Sequence, residues 1–338
     1  MKVKYYPEDF VVVEKTKVSF VPSGAYCIYE LTKRNIDALA MKRILERLFK
    51  TKEMGMAGLK DRNALTTQLI SVPGKPLFKN HQEKNFSLVF KGYSKSSIRK
   101  GDLIENKFHI TLRNVSKKQK ELFENNISFI TKHGFVNYFG DQRFGHITKA
   151  KKFILEPYLN GDAEKSVKLY LTLYRKKDSS ETKKRKRFFL ENWGNWKKCS
   201  EVKDSVSRKM FLALQQGKSF EFVLKMIPKE LLELYILSYV SYLWNKKASQ
   251  YMEQFSHVLL KTEIGVLAFP KEVIPEKMIS AEIPQKSYAL TNKITFPKRK
   301  LFVKTNIVRH LKENKIILDF SLPSGAYATT LLKALFEQ

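Results

Sequence analysis

With 338 residues the chain is long enough for two domains, or for one domain carrying a large insertion, and a hydrophobic content of 43% supports a packed core. A formal net charge of +30 and a pI near 9.9 argue against an enzyme of small neutral substrates and imply a polyanionic partner, nucleic acid ahead of an anionic membrane surface. No apolar stretch is long enough to span a bilayer, Met1-Lys2-Val3-Lys4 lacks the apolar core of a signal peptide, and Cys27 and Cys199 form no disulfide framework, so a reduced, cytoplasmic setting is expected.

The chain opens with Lys4-Tyr5-Tyr6-Pro7-Glu8-Asp9-Phe10 and runs into Val11-Val12-Val13-Glu14. The β-branched run predicts a strand, with the proline confined to its entry. Residues 25–31 alternate well enough for a second strand. Asn35 is expected to cap a helix whose apolar face carries Ile36, Ala40, Ile44 and Leu48. That helix delivers the chain to Gly55 and then to Gly58-Leu59-Lys60-Asp61-Arg62-Asn63-Ala64-Leu65-Thr66-Thr67-Gln68. Here one acidic side chain, Asp61, stands between two cations, Lys60 and Arg62. Nearby positive charge favours the charged form of a carboxylate, and an ionised carboxylate on a turn of a basic chain can act as a nucleophile toward a bound polyanion. On these three charges alone, a solvated surface turn is the simpler reading.

Strand patterns follow at residues 66–72, 86–90 and 108–112, the last with Phe108, Ile110 and Leu112 on one face and Lys107, His109 and Thr111 on the other. Ser116 and Gln119 make a capping-box pattern before a helix through Leu122, Phe123, Ile127 and Ile130, and Gly134 supplies its stop. Next stands Asn137-Tyr138-Phe139-Gly140-Asp141-Gln142-Arg143-Phe144-Gly145. Such a cluster offers a stacking face and a phosphate partner, although phenylalanines beside glycines also serve as core packing at a turn. From about Lys149 to Lys209 the chain is densely basic, with Lys183-Lys184-Arg185-Lys186-Arg187 the sharpest run. The run reads equally as a solvated face or loose loop, or as an electrostatic docking surface. Trp193 and Trp196 stay open between packing and base platforms. Pro228 starts a long apolar helix through Leu232, Tyr235, Tyr239, Tyr242 and Leu243. Strand pattern returns at residues 316–321, before Leu322-Pro323-Ser324-Gly325-Ala326-Tyr327-Ala328-Thr329 and a short terminal helix.

Other site types fail on spacing. The six histidines show no pairwise metal spacing, and two cysteines cannot complete a zinc site. Gly140 to Gly145 has Walker-like glycine spacing, but His146 and Ile147 stand where Lys and Ser or Thr are required. Gly55-Met56-Ala57-Gly58 is a literal Gly-x-x-Gly, the clamp of a KH module, and keeps a non-catalytic RNA-binding protein as the alternative.

Four strings together resemble the TruD family of tRNA pseudouridine synthases: Lys4 with Pro7-Glu8-Asp9-Phe10, the Lys60-Asp61-Arg62 stretch, Asn137 to Gly145, and Leu322 to Thr329. The segment Tyr239 to Asn245 is similar to the family's Ser-x-Leu-Phe-Asn helix. A small hydroxyl residue that the family often carries shortly after the asparagine at Asn35 is replaced here by Ile36-Asp37. The resemblance implies an α+β fold, a mixed and largely antiparallel sheet flanked by helices, with the catalytic domain built from residues 1–150 and 296–338 around an inserted α+β TRUD domain at about 151–295. It implies isomerisation of uridine to pseudouridine, at position 13 of tRNA, with Asp61 as nucleophile and Lys4 holding its carboxylate ionised. Phe139 would stack on the flipped base, Asn137 would position Asp61 or the base, and Lys60, Arg62 and Arg143 would contact phosphate. No cofactor and no metal are implied, and the expected protein is a monomer with tRNA as partner and no membrane. An inactive homologue would carry nearly the same strings.

Overall fold

The computed structural model describes residues 1–144, 152–174, 178–202, 205–291, 296 and 298–337. Gly145, His146 and Ile147, and the domain boundaries expected between 150 and 151 and at 295, lie outside the described residues. The chain divides into two units, Met1–Phe135 with Phe302–Gln338, and Val136–Leu301.

The first unit holds β1 (Phe10–Thr16), β2 (Tyr26–Arg34), β3 (Gly55–Met56), β4 (Leu65–Pro73), β5 (Asn80–Glu83), β6 (Phe86–Ser94) and β7 (Leu103–Arg113), joined by the strands Ile307–Lys312 and Lys315–Pro323; of these β3, β5 and Ile307–Lys312 are additions to the strands expected from the sequence. Among the described residues these nine strands form one sheet in the order Ile307–Lys312, Lys315–Pro323, β7, β1, β4, β2, β6, β5, with β3 on β4. Only β1 and β4 pair in parallel; the other pairs are antiparallel. The architecture is α+β. Register sets Phe10 opposite Ile110 and Ile110 opposite Leu318, while Val12 faces Phe108 and Phe108 faces Phe320. These side chains therefore share one face, and all are buried. Each such apolar side chain contributes about 1.5–3 kcal/mol when fully buried.

On β2 the same face carries Cys27, Tyr29 and Leu31, covered by Met41 and Leu45 of α1 (Ala38–Leu48). Between its apolar ends the face turns polar, with Glu14, Lys33, Thr66 and Gln68 all buried. The helix cap differs from expectation. Asn35 takes a left-handed φ of 54° and gives its N–H to the Ala64 carbonyl at 3.3 Å, which leaves Asp37 to cap α1 through the Leu39 and Ala40 N–H groups. The α2 helix (Lys117–His133) has the expected capping box, Ser116 with Gln119. Its stop requires glycine: Gly134 has φ 88°, and a Cβ there would lie 2.6 Å from the Val303 carbonyl.

The second unit is mainly helical, around buried Phe189, Phe211, Leu224 and Val240. The basic run is not a loop. It lies in the helix Ser180–Glu191, capped by Ser179, because Phe189 buries on its inner face. Lys184 and Arg187 are exposed, while Lys186 donates to the Leu173 carbonyl at 2.8 Å. Trp193 and Trp196 pack edge to face at 5.0 Å, with Trp196 stacked 6.2 Å from Phe211. The long helix spans Lys229–Met252 and begins directly after Pro228. No described helix is long and apolar enough to cross a membrane.

Candidate active site

Asp61 sits on the turn between β3 and β4, its side chain about one-third exposed. Lys4 reaches it from 57 residues away, Nζ to Oδ2 at 2.5 Å. The Lys4 ammonium also lies over the Phe10 ring, 4.0 Å from its centroid, which limits the directions it can take. Lys4 itself has a left-handed φ of 59°, a conformation a non-glycine residue keeps only when its surroundings hold it. Those surroundings are visible. Lys2 pairs through both backbone bonds with Arg113, and Arg113 grips the buried Asp9 carboxylate with Nε and Nη2 at 2.8–2.9 Å. Burial pushes the Asp9 carboxyl up, but the Arg113 bonds and the Tyr6 N–H outweigh it and hold the carboxyl below its ordinary range. Lys4 is thus anchored on both sides, before it by the Lys2–Arg113 pairing and after it by Asp9 of the Pro-Glu-Asp-Phe string, and Arg113 joins the two.

Lys60, expected at phosphate, points the other way. It is 8% exposed, and its ammonium bonds the buried Glu14 carboxylate, whose other oxygen accepts from Thr16 Oγ1 at 2.6 Å. The alternation of β1 puts Glu14 on the inner face with Phe10 and Val12, so the lysine beside Asp61 is drawn into the sheet. Arg62 is exposed. Lys33, at the end of β2, is 2% exposed and donates to the Asp61 carbonyl at 2.7 Å and the Ile36 carbonyl at 3.0 Å. Burial lowers its pKa to about 8, against the opposing pull of Asp61 and Asp37. Gln68 donates to the Gly58 carbonyl at 3.4 Å. Thr66, opposite Lys33 across the strand pair, buries a hydroxyl with no hydrogen-bond partner among the described residues.

The Gly-x-x-Gly string has a structural cause. Gly55 and Met56 pair with β4, and a Cβ on Gly55 would come within 2.4 Å of Ser71, Ser97 and Ile98 atoms. A glycine buried against the sheet in this way is not a clamp for a nucleotide backbone.

Asn137, Phe139 and Arg143 belong to the second unit, where they form one hydrogen-bonded group. Asn137 is buried and accepts from Arg299 through both oxygens, Nη2 to Oδ1 at 2.5 Å and Nε to the carbonyl at 2.8 Å. Its own N–H goes to the Leu301 carbonyl at 2.7 Å. Phe139 exchanges two backbone bonds with the Asn245 amide, at 2.8 and 3.0 Å. Its ring is half-buried, with the Arg299 guanidinium 4.1 Å from the centroid and Trp244 edge-on at 5.7 Å. Arg143 Nε donates to Ser241 Oγ at 3.1 Å, and its carbonyl accepts from Ser238. The helix segment Tyr239 to Asn245 therefore serves to hold the Asn137 to Phe144 string. Among the described residues no three His, Cys, Asp or Glu side chains converge on a metal position.

Sequence reasoning missed Glu14, Lys33, Arg113 and Arg299 as parts of these groups, and placed Asn245 only within the Tyr239 to Asn245 helix. A buried charge on an alternating strand was the available signal for Glu14 and Lys33.

Comparison with known proteins identifies the family. The family described as tRNA pseudouridine synthase D (TruD) matches residues 1–264. The chain is 31% identical to the "Probable tRNA pseudouridine synthase D 1" of Methanococcus maripaludis, across 100% of both chains. It is 28% identical to the tRNA pseudouridine synthase D of Aquifex aeolicus, covering 99% of this chain and 98% of that one. The crystal structure of the TruD protein of Methanosarcina mazei shares the fold, with a TM-score of 0.69 at 23% identity over 99% of this chain and 93% of that one. The chain belongs to the tRNA pseudouridine synthase D (TruD) family.

Proposed function

We propose that this chain is an isomerase that converts uridine to pseudouridine in tRNA, at position 13, with Asp61 as the nucleophile. The observation that carries the reading is the Lys4–Asp61 contact at 2.5 Å, held by an anchored N-terminal segment in a member of this family. The reaction breaks the N1–C1′ bond and forms a C5–C1′ bond; C5 loses a proton and N1 gains one, so the formula is unchanged. Asp61 supplies the nucleophile at the sugar or the base, and the Lys4 ammonium orients its carboxylate through a charge-assisted hydrogen bond. The target base leaves its stack at a cost of a few kcal/mol. Stacking on the half-buried Phe139 ring offsets part of that cost, and Asn137, fixed by Arg299, holds the segment that carries the ring.

In this reading the unit Met1–Phe135 with Phe302–Gln338 is the catalytic domain and Val136–Leu301 the inserted one. Exposed Arg62 and half-buried Arg143 meet phosphate. Lys60 instead supports the Asp61 turn from beneath, through Glu14. The enzyme acts as a cytoplasmic monomer without a cofactor. Incubation with unmodified tRNA followed by chemical mapping of pseudouridine tests the reading. Pseudouridine at position 13 supports it, pseudouridine elsewhere overturns the position, and none at any uridine favours a non-catalytic RNA-binding homologue.

A further inference from the structure

Lys33 is among the largest fully buried side chains of the protein. A buried ammonium is costly unless acceptors compensate it, and most such groups find a carboxylate. Lys33 bonds two backbone carbonyls instead, those of Asp61 and Ile36. Beside it, the Asn35 N–H donates to the Ala64 carbonyl at 3.3 Å. The β2–α1 connection and the Asp61 turn are therefore stitched together twice, and one stitch ends on Asp61 itself. Lys4 grips the carboxylate of that residue and Lys33 its carbonyl, so both the side chain and the backbone of Asp61 are held by cations.

We propose that Lys33 is a positioning residue for the isomerisation, fixing the backbone of Asp61 so that its carboxylate meets the target nucleotide in one orientation. This rests on the reading of Asp61 as the nucleophile. A displacement of about 1 Å at a reacting group costs on the order of 100-fold in rate, so a tie on the backbone of the nucleophile governs the chemical step while leaving tRNA docking alone. The charged groups facing Lys33 are Asp61 and Lys60 from the β3–β4 turn and Asp37 from the start of α1.

The test uses the full chain with Lys33→Met, which keeps length without donors, and Lys33→Gln, which keeps one donor group. Under single-turnover conditions on unmodified tRNA, both variants should react about 100-fold more slowly, with tRNA affinity close to wild type. With a Lys33 pKa of about 8, the wild-type rate should fall above that pH as the ammonium loses its charge, and Lys33→Met should lack that limb. A second readout does not depend on turnover. Asp61-Arg62 is the sole Asp-Arg step in the sequence, so 13C-carbonyl aspartate with 15N-arginine labels one peptide bond. Its carbonyl resonance should titrate near pH 8 in the wild type and stay flat in Lys33→Met. A wild type that makes no pseudouridine sinks the enzyme reading, and the carbonyl titration then still judges the tie. The proposal is overturned by a folded Lys33→Met with near-wild-type rate, by equal losses of rate and tRNA affinity, by an unaltered carbonyl titration, or by unfolding of both variants, which would assign Lys33 to the fold alone.

Discussion

Replacing Glu14 with glutamine removes the countercharge of a lysine that has almost no route to water. The Glu14 side chain is 0% exposed and that of Lys60 6%, and no other carboxylate is paired with Lys60 among the described residues. Breaking such a pair from one side costs about 3–5 kcal/mol, because the remaining charge stays buried and uncompensated. At roughly 2–4 °C per kcal/mol for a domain of 150–250 residues, the melting transition of the first unit should fall by roughly 6–20 °C. Burying two charges is itself expensive, so Glu14→Leu combined with Lys60→Met should recover most of the loss. Thermal melts of the wild type, Glu14→Leu, Lys60→Met and the double variant close the cycle, with Glu14→Gln measured beside them. Because Lys60 adjoins Asp61, the folded fraction of Glu14→Gln should also turn over more slowly. A loss under about 1 kcal/mol for Glu14→Gln, or additive single effects, would refute the argument that this buried pair supports the Asp61 turn.

The anchor at Asp9 predicts a pH dependence. Its carboxyl lies below the ordinary 3.8 when folded, so it adds stability that is present above that value and lost as pH falls through the folded one. Asp9→Asn should therefore be less stable at neutral pH and lose less on acidification below about pH 4, as read by urea unfolding at a series of pH values; identical acid slopes would contradict this. Phe139→Ala should lower the single-turnover rate by roughly 10- to 100-fold, since base stacking contributes roughly 1–3 kcal/mol, while Phe139→Tyr keeps most of it. A large drop in melting temperature with an unchanged rate would instead make Phe139 a packing residue for Trp244 and Arg299. Lys184→Gln with Arg187→Gln should flatten the salt dependence of tRNA binding by about 0.7–0.9 for each phosphate no longer neutralised, and an unchanged slope would make that helix face merely solvated.

Much of the fold could be read directly from local pattern. Six strands of the first unit and the α2 helix follow from β-branched, period-2 and capping signals, which depend only on near neighbours, whereas the short β3 and β5 and the exposed Ile307–Lys312 strand carry no such signal. The cap of α1 was misplaced because Asn35 is also a good left-handed residue, and the tertiary bond to Ala64 claimed it for that conformation. The Asp61 string was legible as a motif, but its supporting residues were not. Glu14 is 46 residues from Lys60, Lys33 is 28 from Asp61, and Asn137 is 162 from Arg299. Sheet register and helix packing create those meetings, and no local spacing encodes them. For the same reason Lys60 looked like a phosphate ligand: in a basic chain, nothing near it announces that its partner lies across the sheet on β1. The Lys183 to Arg187 run hid a helix because its apolar inner residue, Phe189, lies beyond the charges.

If Asp61 attacks, its carboxylate is indispensable to the chemistry and nearly irrelevant to docking. Wild type and Asp61→Asn, each in excess over unmodified tRNA, are followed in a single turnover by mapping pseudouridine. Conversion is expected from the wild type and none from Asp61→Asn, with tRNA affinity within a few-fold, since one neutral isostere barely alters a surface carrying a net charge of +30. Pseudouridine formation by Asp61→Asn at a rate comparable to the wild type would contradict attack by Asp61.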